Sequence, residues 1–347
     1  MADLLVTNFN RNFTGVSATA ANVIRQQARR YDMALVGRAL PGCPEPISIA
    51  AARAASRHHD PAKPFAIWHV RRNTEMRAAI WARDVLRLPV RIVFTSAAQR
   101  RHSAFPRWLI SRMDAVVATT DAAATYVPHV RAVVPHGVDT DVFTPAENRT
   151  SAWAALGYGG QQGIATIGRI RPEKGTDLFV DAMLRLLPDN PGTVALVIGR
   201  AAREHQGFLK GLQARITAAG LGERILFPGE ISASGLPRVM RALSLVMQLP
   251  RYEGYGMAPL EGLASAVPFV GSDTGYYRAF SAQGTVGTVV PLEGADAAAQ
   301  AAGQLLSAPE ELSRRGQAGR DLAVHAFSAG AEADGIDAVY QQLWSAG

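Results

Sequence analysis

Residues 163–187 read GIATIGRIRPEKGTDLFVDAMLRLL. A short apolar run ends at Gly168, a basic loop with Arg169 and Lys174 follows, and from Thr176 the apolar residues take helical spacing. Strand, glycine-bearing loop and amphipathic helix in that order are the repeating part of a parallel α/β sheet. The same alternation extends in both directions. Upstream, DLLVTNF, MALVG, FAIWHV, RIVFTS, AVVATT and AVVPHG read as strands, with VSATAANVIRQQARR a helix between the first two. Downstream, TVALVIG, RILFPGE, SLVMQLP and PFVGSD continue the series that GIATIGRI begins. Two series of this kind predict two doubly wound domains. Residues 140–163, with Pro145 and a cluster of glycines, read as the connection between them.

The chain has 347 residues, more than one hydrophobic core usually supports, which also argues for two domains. No apolar run approaches the ~18 residues of a membrane span, and the first residues lack the pattern of a secretory signal. A cytoplasmic location is therefore expected. The single cysteine, Cys43, excludes an internal disulfide and a cysteine-based zinc site. His58, His59, His129, His205 and His325 have no partners at metal-ligand spacing, so no histidine metal site is expected.

The net charge of +7 is concentrated in residues 1–150, which hold 20 basic against 11 acidic residues. Ten arginines lie between Arg71 and Arg112. Such a segment is either a solvated basic face or a surface for an anionic partner: phospholipid, an acidic acceptor or nucleic acid.

In parallel sheets, ligands bind at the carboxyl ends of strands, where glycine turns and helix N-termini receive phosphate. Arg169 and Lys174 share one strand-to-helix loop and so can reach a diphosphate together. A second stretch, RYEGYGMAPLEGLASAVPFVGSDTGYYRAF at 251–280, follows the strand SLVMQLP. Its glycines, Gly254 and Gly256, keep the backbone bare ahead of a helix near Pro259. Glu261 is expected in the first turn of that helix, where it either complements the dipole or accepts a hydrogen bond from a ribose hydroxyl. Glu253, on the loop, is placed to hold sugar hydroxyls. Thr274–Tyr277 either line the same pocket or pack in the core.

These motifs together resemble the retaining glycosyltransferases of family 4. The Glu253-to-Glu261 spacing within EGYGMAPLE, the loop GRIRPEKG, and the segments SRMDAVVATTDAAATYV and VVPHGVDTDVFTP carry the resemblance, which covers nearly the whole chain. It implies a GT-B fold, two Rossmann-like α/β domains facing a central cleft: an acceptor-binding domain at 1–148, a nucleotide-sugar donor domain at 149–325, and a C-terminal helix, 326–347, crossing back to the first. It implies that Gly15, Gly168, Arg169, Lys174, Glu253, Gly254, Tyr255, Gly256, Met257, Ala258 and Glu261 bind the donor. Arg169 and Lys174 would neutralise the departing diphosphate and Glu253 would hold the sugar. Either His69 or Arg71 would occupy the family's active-site histidine position. No enzymic nucleophile is evident, and the resemblance implies retention by same-face attack, with no metal and no cofactor beyond the donor.

WHVRRNTEM at 68–76 and VFTSAAQRRHSAFPRWLISRMDAV at 93–116 are similar to lipopolysaccharide core mannosyltransferases, which implies GDP-mannose as donor and the Kdo-lipid A inner core as acceptor. Arg71, Arg72, Arg100 and Arg101 would then meet an anionic glycolipid, with the enzyme peripheral on the inner face of the cytoplasmic membrane. A family 4 enzyme with another nucleotide sugar and acceptor is the alternative. A basic nucleic-acid-binding protein is the non-enzymatic one, but zinc and RRM patterns are missing. A nicotinamide dehydrogenase is disfavoured because GYGGQQG precedes a strand where the dinucleotide motif joins strand to helix.

Overall fold

The structure is a computed structural model that describes residues 2–12, 14–57, 63–98 and 100–346. His58 and His59 lie outside the described residues. The chain forms two compact units, Met1–Gly137 with Phe327–Gly347, and Val138–Ala326. The first boundary thus falls at Gly137, where the sequence reading put it at 148.

The first unit holds strands β1 (Leu4–Asn8), β2 (Met33–Gly37), β3 (Ala66–Val70), β4 (Val90–Ser96), β5 (Ala115–Ala118) and β6 (Val130–Val133). They form one parallel sheet in the order β2-β1-β3-β4-β5-β6. Both faces are covered, which is why the strands read as unbroken apolar runs. On one face Trp68, Val70, Ile92 and Phe94 meet Met76, Ala79, Leu109 and Ile110 from the helices Asn73–Ile80 and Ala104–Ser111. On the other, Leu4, Val6, Ile67 and Val93 meet Val23 and Ile24 of the helix Gly15–Gln27 and Ile336, Val339 and Tyr340 of the helix Ala329–Ser345. That last helix is fastened at its start by Ser328, whose hydroxyl accepts from the Ala331 amide, and near its end by Trp344 Nε1, which donates to the Phe65 carbonyl at 3.0 Å. Between them Asp337 accepts from Gln27 at 2.7 Å and Arg30 at 2.8 Å.

The second unit holds β7 (Gln162–Ile167), β8 (Thr193–Ile198), β9 (Ile225–Gly229), β10 (Leu245–Gln248), β11 (Phe269–Ser272) and β12 (Thr288–Val290). They too form one parallel sheet, in the order β12-β11-β10-β7-β8-β9. β12 was not read from the sequence; its three residues sit among glycines and carry no period of their own. Residues 140–163 are not a free connection, because they belong to the second unit. Asn148 caps the helix Arg149–Ala154 by accepting from the Ser151 amide, and Trp153 is fully buried. A side chain at Gly163 would collide with the Trp153 ring, so the segment is packed onto β7.

Candidate active site

In the second unit the basic loop and the acidic loop meet. Gly168 follows β7 directly, with open space where a side chain would stand, and Arg169 beside it is exposed. The loop then turns through Pro172–Lys174 to Gly175, at φ +63°. A Cβ on Gly175 would lie 1.7 Å from the Leu249 carbonyl oxygen, so only glycine allows residues 172–175 to press against the end of β10. That contact brings Lys174 Nζ within 2.5 Å of Glu253 Oε2. Both side chains remain partly exposed.

Arg251 fixes the approach of the two loops. Its guanidinium makes a bidentate pair with Asp177 at 2.8 Å on both arms, bonds to Glu293 at 2.7 Å and donates to the Pro172 carbonyl at 2.5 Å. Its own amide donates to the Glu173 carbonyl. Bidentate arginine–carboxylate pairs set geometry as well as energy. Arg251 was not among the expected site residues, although its place two residues ahead of Glu253 and the acidic Asp177 at the start of the next helix were both visible.

Beyond Glu253 the chain turns at Gly256 (φ +98°) into the helix Met257–Ala264. A Cβ on Gly256 would strike the Tyr277 ring at 2.2 Å. The amides of Met257 and Ala258 have no carbonyl within the helix, and Pro259 has no N–H to leave over. Gly254 and Gly256 thus frame a run of donors suited to an anion. Tyr255 contributes backbone only: its ring is buried, stacked on Tyr276 at 5.3 Å and edge-on to Phe280. Tyr277 is core packing, Tyr276 is only half-buried, and Thr274 accepts from the Glu253 amide at 3.3 Å and steadies that loop. Glu261 is the fifth residue of the helix and so stands in its second turn, not its first. It is only partly exposed, and desolvation pushes its carboxyl up to about 7.

The first unit differs. His69 is fully buried in β3. Its Nε2 is 2.6 Å from the Thr95 hydroxyl, its Nδ1 meets the Tyr340 hydroxyl, and burial with the nearby Arg71 charge holds its pKa well below 6.5. Both ring nitrogens of His69 are thus engaged by side chains of its own unit. Arg72 also bonds within the unit, to Asn8, Glu75, Thr14 and Ser17 at 3.0–3.2 Å. The hub is Glu75, fully buried, which also accepts from the Thr7 hydroxyl and the amides of Phe9 and Arg71. This network ties the end of β1 to the turn after β3, and so fixes Thr14 and the exposed Gly15 that opens the next helix.

Arg71 is the exception. Its guanidinium is buried, yet none of its three nitrogens has a hydrogen-bond partner among the described residues. The buried hydroxyls of Ser96 and Thr119, at the carboxyl ends of β4 and β5, also have none. Arg100 and Arg101 are exposed in the loop after β4. Among the described residues no group of three His, Cys, Asp or Glu side chains could hold a metal ion.

Residues 152–322 match the family "Glycosyl transferases group 1". Over 98% of its length the chain is 37% identical to the lipopolysaccharide core biosynthesis mannosyltransferase LpsB of Rhizobium meliloti, covering 97% of that protein. It is 37% identical over 98% of its length to LpcC of Rhizobium leguminosarum, of the same description, covering 96% of it. The crystal structure of Anabaena HepE with UDP and glucose superposes on 99% of the chain and all of its own, with a TM-score of 0.83 at 15% identity. The chain therefore belongs to the group 1, or family 4, glycosyl transferases and is a glycosyltransferase with the GT-B fold.

Proposed function

We propose that the protein transfers mannose from GDP-mannose, with retention, to the Kdo-lipid A inner core of lipopolysaccharide. The observation that carries the donor half is the Lys174–Glu253 pair at 2.5 Å, with Arg169 exposed on the same loop. A diphosphate entering this loop competes for the Lys174 ammonium. Releasing Lys174 frees the Glu253 carboxylate to accept hydrogen bonds from the sugar, so one ligand engages both residues. Arg169, Lys174 and the first amides of the helix Met257–Ala264 then stabilise the charge that develops on the leaving diphosphate. Glu261, as a carboxylate, accepts from the ribose.

Mannose and the lipopolysaccharide core are supported by the two relatives of that description, which match nearly the whole chain. Arg71 supports an acidic acceptor, because a buried guanidinium without a partner suits a planar carboxylate. The basic segment of the first unit fits the same reading, with the acceptor reached from the inner face of the cytoplasmic membrane. The deciding experiment measures mannose transfer from GDP-mannose to a purified Kdo-lipid A precursor, with UDP-glucose, UDP-galactose and UDP-N-acetylglucosamine as parallel donors. Product from GDP-mannose alone is the expected result. Product only from a UDP-sugar, or only on another acceptor, would overturn the corresponding half of the assignment.

A further inference from the structure

Two neighbouring helices of the first unit carry large apolar side chains on the wrong face. The helix Asn73–Ile80 continues as a π-helical turn, Trp81–Val85, and packs beside the helix Ala104–Ser111. Their inner faces already supply the core with Met76, Ala79, Ala82, Leu109 and Ile110. Trp81, Val85, Phe105 and Trp108 nevertheless keep more than half of their surface exposed, and Leu86 more than a third. Phe105 and Trp108, three residues apart on one helix face, stack on each other. Ion pairs hold the two outward faces together: Arg112 reaches Asp84 at 2.8 Å, and Arg83 bonds to both Asp84 and Asp114 at 2.7 Å. Asp84 lies within one turn of Trp81, and Arg112 within one turn of Trp108.

The surrounding charge is of one sign. Arg77, Arg87, Arg101 and Arg107 are exposed in the same two helices and their flanking loops. The acidic residues of this region are already neutralised, Asp84 and Asp114 by the pairs just described and Glu75 inside the unit by Arg72. An aromatic patch ringed by arginines whose counter-charges are spent matches an anionic bilayer surface. Trp and Phe settle at the level of the headgroups, arginines bury their stems and reach lipid phosphates, and no spanning segment is needed. Among the described residues no helix is long and apolar enough to cross a membrane.

We infer that the outward face of Trp81–Leu86 and Phe105–Trp108 is a membrane-docking surface that inserts into an anionic leaflet. The inference rests on the proposed glycolipid acceptor and names the surface that would bring the enzyme to it. The test uses the full chain and vesicles that contain no acceptor: phosphatidylglycerol with phosphatidylethanolamine, against neutral phosphatidylcholine. Co-sedimentation and quenching of tryptophan fluorescence by brominated lipid are followed in wild type and in Trp81→Ser, Trp108→Ser and the double variant. Binding to the anionic vesicles, weakened by salt and reduced roughly tenfold by each substitution, is the expected result. Quenching should fall with it, while transfer to acceptor dispersed in detergent is unchanged. Three results would overturn the inference: no vesicle binding, binding unaffected by both substitutions, or a dimer in sedimentation that Trp108→Ser dissociates, which would make the face a contact between copies. Because the vesicles lack acceptor, these outcomes stand apart from the transfer assay.

Discussion

The two sheets end in similar chemistry put to different uses. At the carboxyl edge of the first, a carboxylate and a histidine are sealed in: Glu75 and His69 are both fully buried and every polar atom they offer is taken by the unit itself. At the carboxyl edge of the second, Lys174 and Glu253 face each other on two loops and keep some exposure. The first arrangement is a clasp and the second, as proposed above, a receptor. What separates them is position. His69 lies within β3, where alternate side chains point into a covered face, whereas Lys174 and Glu253 lie beyond the ends of β7 and β10, on loops that only glycine lets approach so closely.

The largest expected effect tests the receptor. Glu253→Ala should lower kcat/KM by at least about 100-fold with the fold intact, since it removes the group proposed to hold the sugar and leaves Lys174 without its partner. Loss of less than about threefold would place the working carboxylate elsewhere. The next tests the clasp. His69→Leu removes two buried hydrogen bonds and strands the Thr95 hydroxyl, so thermal or urea unfolding should show a loss of about 2–4 kcal/mol.

The same clasp has a pH signature. His69 takes up a proton less readily folded than unfolded, so the unfolded chain binds more protons below 6.5 and stability falls as the pH drops through that value. The slope of stability against pH in this range should flatten in His69→Leu.

How far the sequence could anticipate this division depends on which force set each feature. Eleven of the strands followed from apolar runs, because a sheet covered on both faces must be apolar throughout. β12 has three residues, and its place is set by pairing with β11, which no local pattern records. Residues 140–163 have the composition of a linker, but Trp153 buries itself against Gly163 and anchors them; one aromatic outweighs many turn residues. The loop positions of Lys174 and Glu253 were legible because each follows an apolar run and precedes a helical pattern. The placement of the Tyr255 ring was not legible, since spacing cannot say whether a ring turns outward or onto Tyr276 and Phe280. Arg251 was overlooked because its partners, Asp177 and Glu293, are distant in sequence and meet it only through the fold.

Arg71 sharpens the contrast, since among the described residues it is the charged group at the first edge that the clasp leaves without a hydrogen bond. A buried cation without hydrogen bonds costs stability, so Arg71→Met should raise the unfolding free energy by about 1–2 kcal/mol while weakening acceptor binding. Destabilisation with unchanged acceptor KM would make Arg71 part of the clasp instead.

The smallest effect comes from Glu261. With its carboxyl up to about 7 when folded and an ordinary value of 4.5, the folded chain holds the extra proton between those values, so this group's contribution to stability falls as pH rises through that window. If the ionised carboxylate holds the ribose, donor affinity should increase about tenfold from pH 6 to 8 and then level off. Glu261→Gln should abolish that increase in a calorimetric titration with GDP; an unaltered pH profile would separate Glu261 from the nucleotide.

The most direct test of the account compares steady-state kcat/KM of Glu253→Ala and His69→Leu, side by side, at a temperature where both remain folded. A receptor on the second sheet and a clasp on the first predict a loss of at least about 100-fold in the former and less than about fivefold in the latter. Equal losses, with His69→Leu still folded, would return the histidine to the chemistry and contradict the division.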